Sequence, residues 1–399
     1  MQSKIAFSDE VDDIEAAAEE IFDAFDGFEL KKNSLGIIFM EEDVEYPELY
    51  EILSKKWSFP IIGCTCTAKL MSGYGFQSDG ISVMVLTDDD CVFEAGVTDE
   101  LTRDNYEESI SELYHDLKER VGGDEKIIIS YGVCVTAKNH VSADDLLSAT
   151  DAVSNRKPII GGLASDRFSF DDTRVFCNDK MVKNGQVMAL ISGDFEPKYM
   201  HVTSIEARVS QQAYEITKSH NNEVMCIDGR PMADVLKEEG FEVGKTDVLR
   251  EYLLTPFIVT IPQPDGGEIR AARNLSLINQ EDKSGVFLGT MPEGSRLQIG
   301  FIDRSKVRES LDEAMNNMLK YIDESDYPYS TILCTSCAAR YLALSTVIEK
   351  EAGGWLETLP SQLNFFGMYS NGEFCPVPDE TSGTDYNTFH NFTFVILAL

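Results

Sequence analysis

Short apolar runs, each about the length of a β-strand, alternate with amphipathic segments along most of the chain. Apolar runs of four to eight residues predict buried strands, and apolar residues three and four positions apart predict helices. One order of such segments recurs and predicts internal duplication. The predicted elements are 34–40, 47–55, 59–64 and 80–87 in a first copy, 126–130, 142–153, 157–162, 173–177 and 186–191 in a second, and 331–334, 340–350, 363–368 and 392–397 in a third.

A glycine closes the same predicted strand in each copy, at Gly63, Gly161 and Gly367. We expect glycine there because a chain that leaves a sheet needs a wide range of backbone angles. Polar residues collect in the turns around these strand ends, and in α/β folds such turns form the ligand crevice. The candidate ligand-binding residues in these turns are Gly63, Cys64, Thr65, Gly162, Ser165, Asp166, Cys337, Arg340, Tyr369, Ser370 and Glu373.

A β-rich stretch separates the second copy from the third. In the second copy, Ser142 with Asp145 three residues later predicts a capping box. Ahead of the first copy, a helix is predicted over 9–25 with Ser8 as its N-cap. In the β-rich stretch and beyond it, the predicted strands are 199–207, 257–262, 268–277, 285–291 and 295–301, and the predicted helices begin near 228 and span 306–322.

The length of 399 residues exceeds what one hydrophobic core usually organises, so we expect two domains. Gly193, Asp194 and Pro197 interrupt the pattern and mark the boundary. The sequence therefore predicts an α/β (α+β) fold of two lobes, each with a mixed sheet flanked by helices. The N-terminal domain, 1–198, holds two copies, and the C-terminal domain, 199–399, holds the β-rich stretch and the third copy.

Acidic residues outnumber basic residues by 69 to 34, which gives a formal net charge of -35. A field of that sign repels nucleic acid and anionic lipid, so we expect neither as a partner. No run approaches the roughly 18 apolar residues of a membrane span, and the acidic start of the chain does not resemble a signal peptide. The nine cysteines show no disulfide spacing. These features predict a soluble protein of the cytoplasm.

Four motifs, in this order and at these separations, resemble the FIST family: Gly161-Gly-Leu-Ala-Ser-Asp166, Cys337-Ala-Ala-Arg340, Gly367-Met-Tyr-Ser-Asn-Gly-Glu373 and His390-Asn-Phe-Thr393. The resemblance covers residues 30–399 and implies an N-terminal and a C-terminal FIST domain, which serve as a sensory input in bacterial signal transduction. Thr335 and Met368 stand where members commonly carry phenylalanine, and these changes alter the expected pocket. The fourth motif adds His390 and Asn391 to the candidate ligand-binding residues.

The resemblance implies a small polar ligand, with amino acids or their derivatives as the proposed class. We expect Arg340 to bind the ligand carboxylate and Glu373 to bind its ammonium group. A structural salt bridge is the alternative role of Arg340, and a turn cap is that of Glu373. The glycine turns would add neutral hydrogen bonds, although their polar side chains more often bond within the turn itself. We expect a separate signalling protein, such as a histidine kinase, to read the bound state.

Two other functions stay open. A subset of the family is similar to haem-containing nitric-oxide sensors that regulate a histidine kinase, and haem would then need a histidine or Cys375 as its axial ligand. A thiol enzyme would use Cys337 as nucleophile and His390 as base. The sequence has no Walker loop, dinucleotide-binding glycine motif, zinc-protease motif or nucleophile elbow, which disfavours an enzyme. We therefore expect no catalytic residue, no metal and no cofactor in the favoured sensor.

Overall fold

The computed structural model describes the chain apart from residues 134–139, 204–208, 244–251, 264–265, 345–354, 357–358 and 379–384. The described residues form four β-sheets, and three of these mix parallel with antiparallel strands. The predicted class, an α+β fold with mixed sheets flanked by helices, is confirmed. None of the described helices is both long enough and apolar enough to cross a bilayer.

One series of elements occurs three times along the described chain, and we call each series a unit: strand, helix, strand, helix and four further strands. Each unit begins one strand and one helix before the predicted copy. The first unit is β1 (Gln2–Ser8), α1 (Ile14–Ala24), β2 (Asn33–Met40), α2 (Tyr46–Leu53), β3 (Ile61–Thr65), β4 (Lys69–Met71), β5 (Gly75–Gln77) and β6 (Ile81–Asp88). The second unit is β7 (Val92–Val97), α3 (Tyr106–Val121), β8 (Glu125–Gly132), α4 (Ala143–Ser154), β9 (Ile159–Leu163), β10 (Val175–Cys177), β11 (Lys180–Val182) and β12 (Gln186–Ser192).

The third unit begins with β13 (Lys198–Thr203) and is then interrupted by an insert that forms the fourth sheet. The insert contains β14 (Val209–His220), β15 (Glu223–Ile227), β16 (Arg230–Pro231), α5 (Met232–Glu238), β17 (Phe257–Pro262), β18 (Glu268–Arg273), β19 (Leu275–Ile278), β20 (Gly285–Phe287) and β21 (Arg296–Gly300). The unit resumes with α6 (Arg304–Glu324), β22 (Thr331–Cys337), α7 (Ala338–Leu344), β23 (Asn364–Ser370), β24 (Glu373–Pro378), β25 (Asp385–His390) and β26 (Thr393–Ala398). Parts of the predicted strand 199–207 and helix 340–350 lie outside the described residues, namely 204–207 and 345–350.

The three units exchange β-hairpins in a closed cycle. The sheet orders are β1-β6-β2-β3-β10-β11, β7-β12-β8-β9-β24-β25 and β13-β26-β22-β23-β4-β5. In each sheet, four strands of one unit are therefore extended by a hairpin of another unit. The pairings of β4 with β23 and of β24 with β9 cross residue 198. The domain boundary placed there from the sequence stays a prediction.

The inner faces of the three sheets share one hydrophobic core. Phe39 stacks on Phe366 with 5.0 Å between ring centroids and meets Tyr131 edge-on at 5.4 Å, so side chains of all three units touch. The outer faces are covered by α1 and α2, by α3 and α4, and by α6 and α7. Because the core is shared, turns from different units lie close enough to hydrogen-bond with one another.

The three repeat glycines lie where a neighbouring parallel strand passes too closely for a side chain. A Cβ atom on Gly63 would lie 1.9 Å from Ile38 O, and one on Gly161 would lie equally close to a backbone oxygen. On Gly367 it would lie 2.8 Å from Cys334 O. Of the three, only Gly161 has a positive φ, 145°. Close strand packing, rather than the wide range of backbone angles that the sequence suggested, therefore explains Gly63 and Gly367.

The two predicted helix caps have different outcomes. Ser142 caps α4, and both hydrogen bonds of the capping box with Asp145 are present, which confirms that prediction. The prediction of Ser8 as an N-cap is wrong, because Ser8 is the last residue of β1. The Asp13 carboxylate instead caps α1 and accepts a hydrogen bond from Ala16 N at 3.0 Å.

Candidate functional site

The turns after β3, β9 and β23, one from each unit, bond directly to one another. Ser165 N donates a hydrogen bond to Thr65 O at 3.0 Å, and Tyr369 N donates one to Ala68 O at 2.8 Å. Asn371 N in the third unit donates a further backbone hydrogen bond to Leu163 O in the second unit at 3.2 Å. The polar turns that the sequence singled out are therefore neighbours in space, although they belong to three different sheets.

Ser165 links all three units through its hydroxyl group. The oxygen Oγ accepts hydrogen bonds from Thr67 N at 2.8 Å and from Thr67 Oγ1 at 3.0 Å. The same hydroxyl donates to Tyr369 O at 2.6 Å. The side chain is fully buried. Its predicted contribution to ligand binding stays a prediction, but its hydrogen-bonding capacity is used within the fold.

We expect Ser165→Ala to lower the free energy of unfolding by about 2–3 kcal/mol, since the change removes three buried hydrogen bonds to the two other units. Urea denaturation followed by circular dichroism measures the loss. Ser54→Ala is the matched control because its hydroxyl bonds to Glu51 O on the exposed side of a helix, and we expect a change within about 0.5 kcal/mol there. Equal losses in the two variants would contradict the linking role.

Four buried polar residues, Cys337, Ser370, Glu373 and Thr393, meet beyond the carboxyl ends of the parallel strands β22 and β23; we call them the Glu373 cluster. The Glu373 carboxyl group accepts hydrogen bonds from Ser370 Oγ at 2.7 Å and from Thr393 N at 3.2 Å. The Cys337 thiol lies near the same carboxyl group, which raises the pKa of the thiol. Burial raises the pKa of Glu373 well above its usual 4.5 and outweighs these bonds. The group therefore keeps its proton at a pH where an exposed glutamate has lost it.

Arg340 lies in the first turn of α7, beside the Glu373 cluster. Its side chain is 0% exposed, and Nη2 donates a hydrogen bond to Val307 O at 3.1 Å. The guanidinium lies 5.5 Å from the centre of the Phe394 ring. Burial has the largest effect on the pKa of Glu373, and the charge of Arg340 acts against it. The two charged residues that the sequence singled out as ligand anchors thus share one buried region.

Asp166 organises the turn that follows β9. Its carboxylate accepts hydrogen bonds from Ser169 Oγ at 2.6 Å and from the backbone N–H groups of residues 170–172 at 2.9 to 3.1 Å. This is the role within its own turn that the sequence analysis weighed against a ligand contact. A ligand that bound Asp166 would have to replace some of these four bonds.

Cys64, Thr65 and Gly162 lie at contacts between units. Cys64 Sγ is 3.3 Å from Met368 Sδ, and Thr65 Oγ1 accepts a hydrogen bond from Arg174 N at 3.0 Å. Gly162 lies opposite β24, where a Cβ atom would come within 2.4 Å of a backbone oxygen. These three residues, with Gly63, hold sheets together, and their predicted ligand contacts stay predictions.

His390 and Asn391 lie at the end of the β24–β25 hairpin. The His390 ring stacks on His201 with 4.9 Å between centroids, and its Nε2 lies 3.3 Å from Cys375 O. Burial lowers the pKa of His390 well below 6.5. Asn391 Oδ1 accepts a hydrogen bond from Asn274 N at 3.1 Å and so ties the insert to the third unit. As an axial haem ligand through Nε2, His390 would have to give up its contact with Cys375 O.

The Cys337 thiol has the opposite of the environment that a nucleophile needs. Burial, followed by the nearby carboxyl group of Glu373, raises the pKa of Cys337 well above 9. A catalytic cysteine is activated by a lowered pKa, because the thiolate is the reactive form. This environment gives no support to the thiol enzyme that was the alternative from the sequence.

A second buried polar pair, Glu41 and Lys69, was not predicted from the sequence. Their side chains are 1% and 0% exposed, and Lys69 Nζ donates a hydrogen bond to Glu41 Oε1. Gly80 N donates a second hydrogen bond to Glu41 Oε2 at 3.1 Å. The available signal was a lone lysine in the otherwise apolar segment 68–71. Thr393 of the Glu373 cluster was missed as well, because its contribution is a backbone N–H group.

Two family models match the chain: the FIST N domain over residues 34–230 and the FIST C domain over residues 233–376. The search of curated proteins found no match. Among solved structures, a cyanuric acid hydrolase from A. caulinodans is similar over 99% of this chain and 98% of its own, with 10% sequence identity and a TM-score of 0.33. A likeness this weak carries no argument about activity. The two family models together span most of the sequence, and the chain therefore belongs to the FIST family, whose domains are sensory domains of signal transduction proteins.

Proposed function

We propose that the chain is a sensory input that binds a small polar ligand, an amino acid or a derivative, at Arg340 and the Glu373 cluster. Arg340 binds the ligand carboxylate, Glu373 binds its ammonium group, and Ser370 supplies a neutral hydrogen bond. One observation carries the proposal: a guanidinium and a carboxyl group are both fully buried beyond the carboxyl ends of two parallel strands. Ligands of α/β sheets bind at such strand ends. Burying both groups is costly, and carboxyl groups whose pKa is raised, as that of Glu373 is, concentrate at functional sites.

Binding of an ammonium ligand would be coupled to the protonation of Glu373. A positive charge beside a carboxyl group lowers its pKa, so the arriving ammonium favours the ionised form. Binding then releases the proton that Glu373 holds in the ligand-free fold. The ion pair that results is desolvated, and its hydrogen bonds from Ser370 and Thr393 are already in place.

We place the protein in the cytoplasm and its output in a separate signalling protein, such as a histidine kinase. The eight described cysteines are all free thiols, as is usual in a reducing compartment. The net charge of -35 favours a partner with a basic docking surface. Ligand binding changes the population of two conformations that the partner distinguishes.

We expect Arg340→Met to abolish the thermal stabilisation that an amino acid ligand gives, because the ligand carboxylate loses its charged partner. Differential scanning fluorimetry with the common amino acids at 1 mM to 10 mM, an estimated working range, measures the shift. Arg273→Met is the matched control, since Arg273 is also buried and its guanidinium bonds to Asp144 of the second unit at 3.0 Å. Both variants lose stability, and only Arg340→Met loses the response. If no amino acid stabilises the native protein, the proposed ligand class is wrong.

A further inference from the structure

Four aromatic rings from all three units form a cluster on the third sheet, which we call the aromatic cluster: Phe76, Phe168, Tyr341 and Tyr369. The Tyr341 ring has three neighbours, at centroid distances of 5.6 Å to Tyr369 and 5.9 Å to Phe76 and to Phe168. Phe76 also meets Tyr369 at 6.1 Å. Tyr369 is fully buried, and the other three rings are half-buried.

The aromatic cluster adjoins the Arg340 end of the proposed ligand site. Tyr341 follows Arg340 in α7, whereas Tyr369 and Ser370 are consecutive in β23 and therefore point to opposite faces of the third sheet. The Arg340 guanidinium lies over the Phe394 ring, and Phe394 and Tyr369 belong to the same apolar core between the third sheet and its helices. A ligand held at Arg340 would therefore meet aromatic rings with the part that is neither carboxylate nor ammonium.

Phe168 is the ring of this cluster that is easiest to displace. It lies in the turn after β9, where Phe168 and Phe170 both have left-handed backbones, with φ of 66° and 58°. Bulky residues rarely adopt these angles, which indicates local strain. The turn keeps its shape through the Asp166 carboxylate. Among the four rings, Phe168 makes one ring contact, to Tyr341, whereas Tyr369 is buried beneath the others.

We infer that the ligand is an α-amino acid with an aromatic side chain, whose ring takes the place of Phe168 against Tyr341. The inference rests on the proposed function and adds the side-chain class to it. Aromatic rings pair favourably edge to face at separations such as those around Tyr341. The carboxylate and ammonium of the ligand then lie at Arg340 and Glu373, and its ring completes the aromatic cluster.

Isothermal titration of the full-length protein with L-phenylalanine, L-tyrosine, L-leucine and L-alanine tests the inference. We expect the aromatic amino acids to bind at least tenfold more tightly than leucine and alanine. Phe168→Ala removes the competing ring and tightens aromatic binding several-fold. Tyr341→Ala weakens aromatic binding at least tenfold and weakens alanine binding much less. If this variant does not fold, Tyr341→Leu is measured in its place.

Phe170→Ala is the matched control, because Phe170 shares the strained turn but packs against the core of the second sheet. It should leave the preference for aromatic ligands unchanged. Equal affinity for leucine and phenylalanine, both lost in Arg340→Met, would overturn the aromatic inference and keep the amino acid site. The preference for aromatic ligands could also be abolished by Phe170→Ala and kept by Phe168→Ala and Tyr341→Ala. That result would overturn the placement of the ligand ring against Tyr341. Failure of every amino acid to bind overturns the proposed function and this inference with it.

Discussion

Replacing Lys69 with methionine will lower the free energy of unfolding by about 3–5 kcal/mol, among the largest effects of any single substitution in this fold. The ammonium group of Lys69 and the carboxylate of Glu41 are 0% and 1% exposed and bond to each other. Removing one partner leaves the other charge buried without compensation. Burial already raises the pKa of Glu41, and Lys69 is the main influence that holds it down. Urea denaturation measures the loss.

The Lys69→Met variant should recover part of its stability at low pH. Without the lysine, Glu41 becomes neutral only by taking up a proton, which it does more readily as the pH falls. The double variant Lys69→Met/Glu41→Leu removes both charges and should regain most of the loss, because well-packed apolar residues often replace a buried ion pair without cost. Lys55→Met, at an exposed ion pair with Glu51, serves as the control. Additive losses in the double variant would show that the two side chains act independently.

The position of the pair explains its importance. Lys69 begins β4, whose hairpin leaves the first unit and pairs with β23 of the third. Glu41 directly follows β2 in the first sheet. The ion pair therefore ties the exchanged hairpin back to the sheet of its own unit. We infer that the ion pair stabilises the exchange of this hairpin, one of the three hairpin exchanges between units.

The Glu373 cluster occupies the equivalent position in the third unit. Ile38 pairs with Gly63, and Glu41 lies three residues after it. Cys334 pairs with Gly367 in the same way, and Cys337 lies three residues after it. Lys69 is the first residue of the exchanged β4–β5 hairpin and pairs with Met368, which follows Gly367. Glu373 is the first residue of the exchanged β24–β25 hairpin and pairs with Gly162, which follows Gly161. In the second unit the corresponding hairpin residue is Val175, which is apolar and buried. The same position therefore holds a buried ion pair in the first unit and an apolar residue in the second. In the third unit it holds the ligand site that we propose.

The strands with continuous apolar runs could be predicted from the sequence because burial on both faces leaves a plain signal. Residues 186–191, for example, were predicted to form a strand and do so within β12, which is buried throughout. The first strand, β1, was missed because its run Gln2–Ser8 mixes polar and apolar residues at the edge of a sheet. The hairpin exchange has no local signal at all, since pairing between distant strands depends on the tertiary fold.

The candidate site was partly predictable for the same reason. Cys337, Ser370 and Glu373 meet because parallel strands bring their carboxyl ends together, which local sequence indicates. Asp166 also had a role within its own turn, because a carboxylate followed by several free N–H groups can accept hydrogen bonds from them. Phe168 and Tyr341 could not be connected from the sequence, since their contact joins the second unit to the third.

The contribution of Glu373 to the stability of the native protein should fall as the pH rises above 4.5, and Glu373→Gln should remove that contribution. The unfolded chain loses the Glu373 proton near 4.5, whereas the folded protein retains it because burial raises the pKa. Between these two values the folded state binds more protons, so its stability decreases with pH by about 1.4 kcal/mol per unit. Glutamine keeps the shape and the acceptor oxygen but does not titrate.

The difference in unfolding free energy between Glu373→Gln and the native protein isolates this contribution. It should grow from pH 4.5 upward and level off once the pH passes the raised pKa of Glu373. His390 acts in the opposite direction, since its lowered pKa costs stability as the pH falls below 6.5, but it is present in both proteins and cancels. Glu51→Gln, at a side chain 76% exposed, should give a flat difference. Parallel pH profiles for Glu373→Gln and the native protein would mean that Glu373 is ionised in the folded state, and an ammonium ligand would then release no proton on binding.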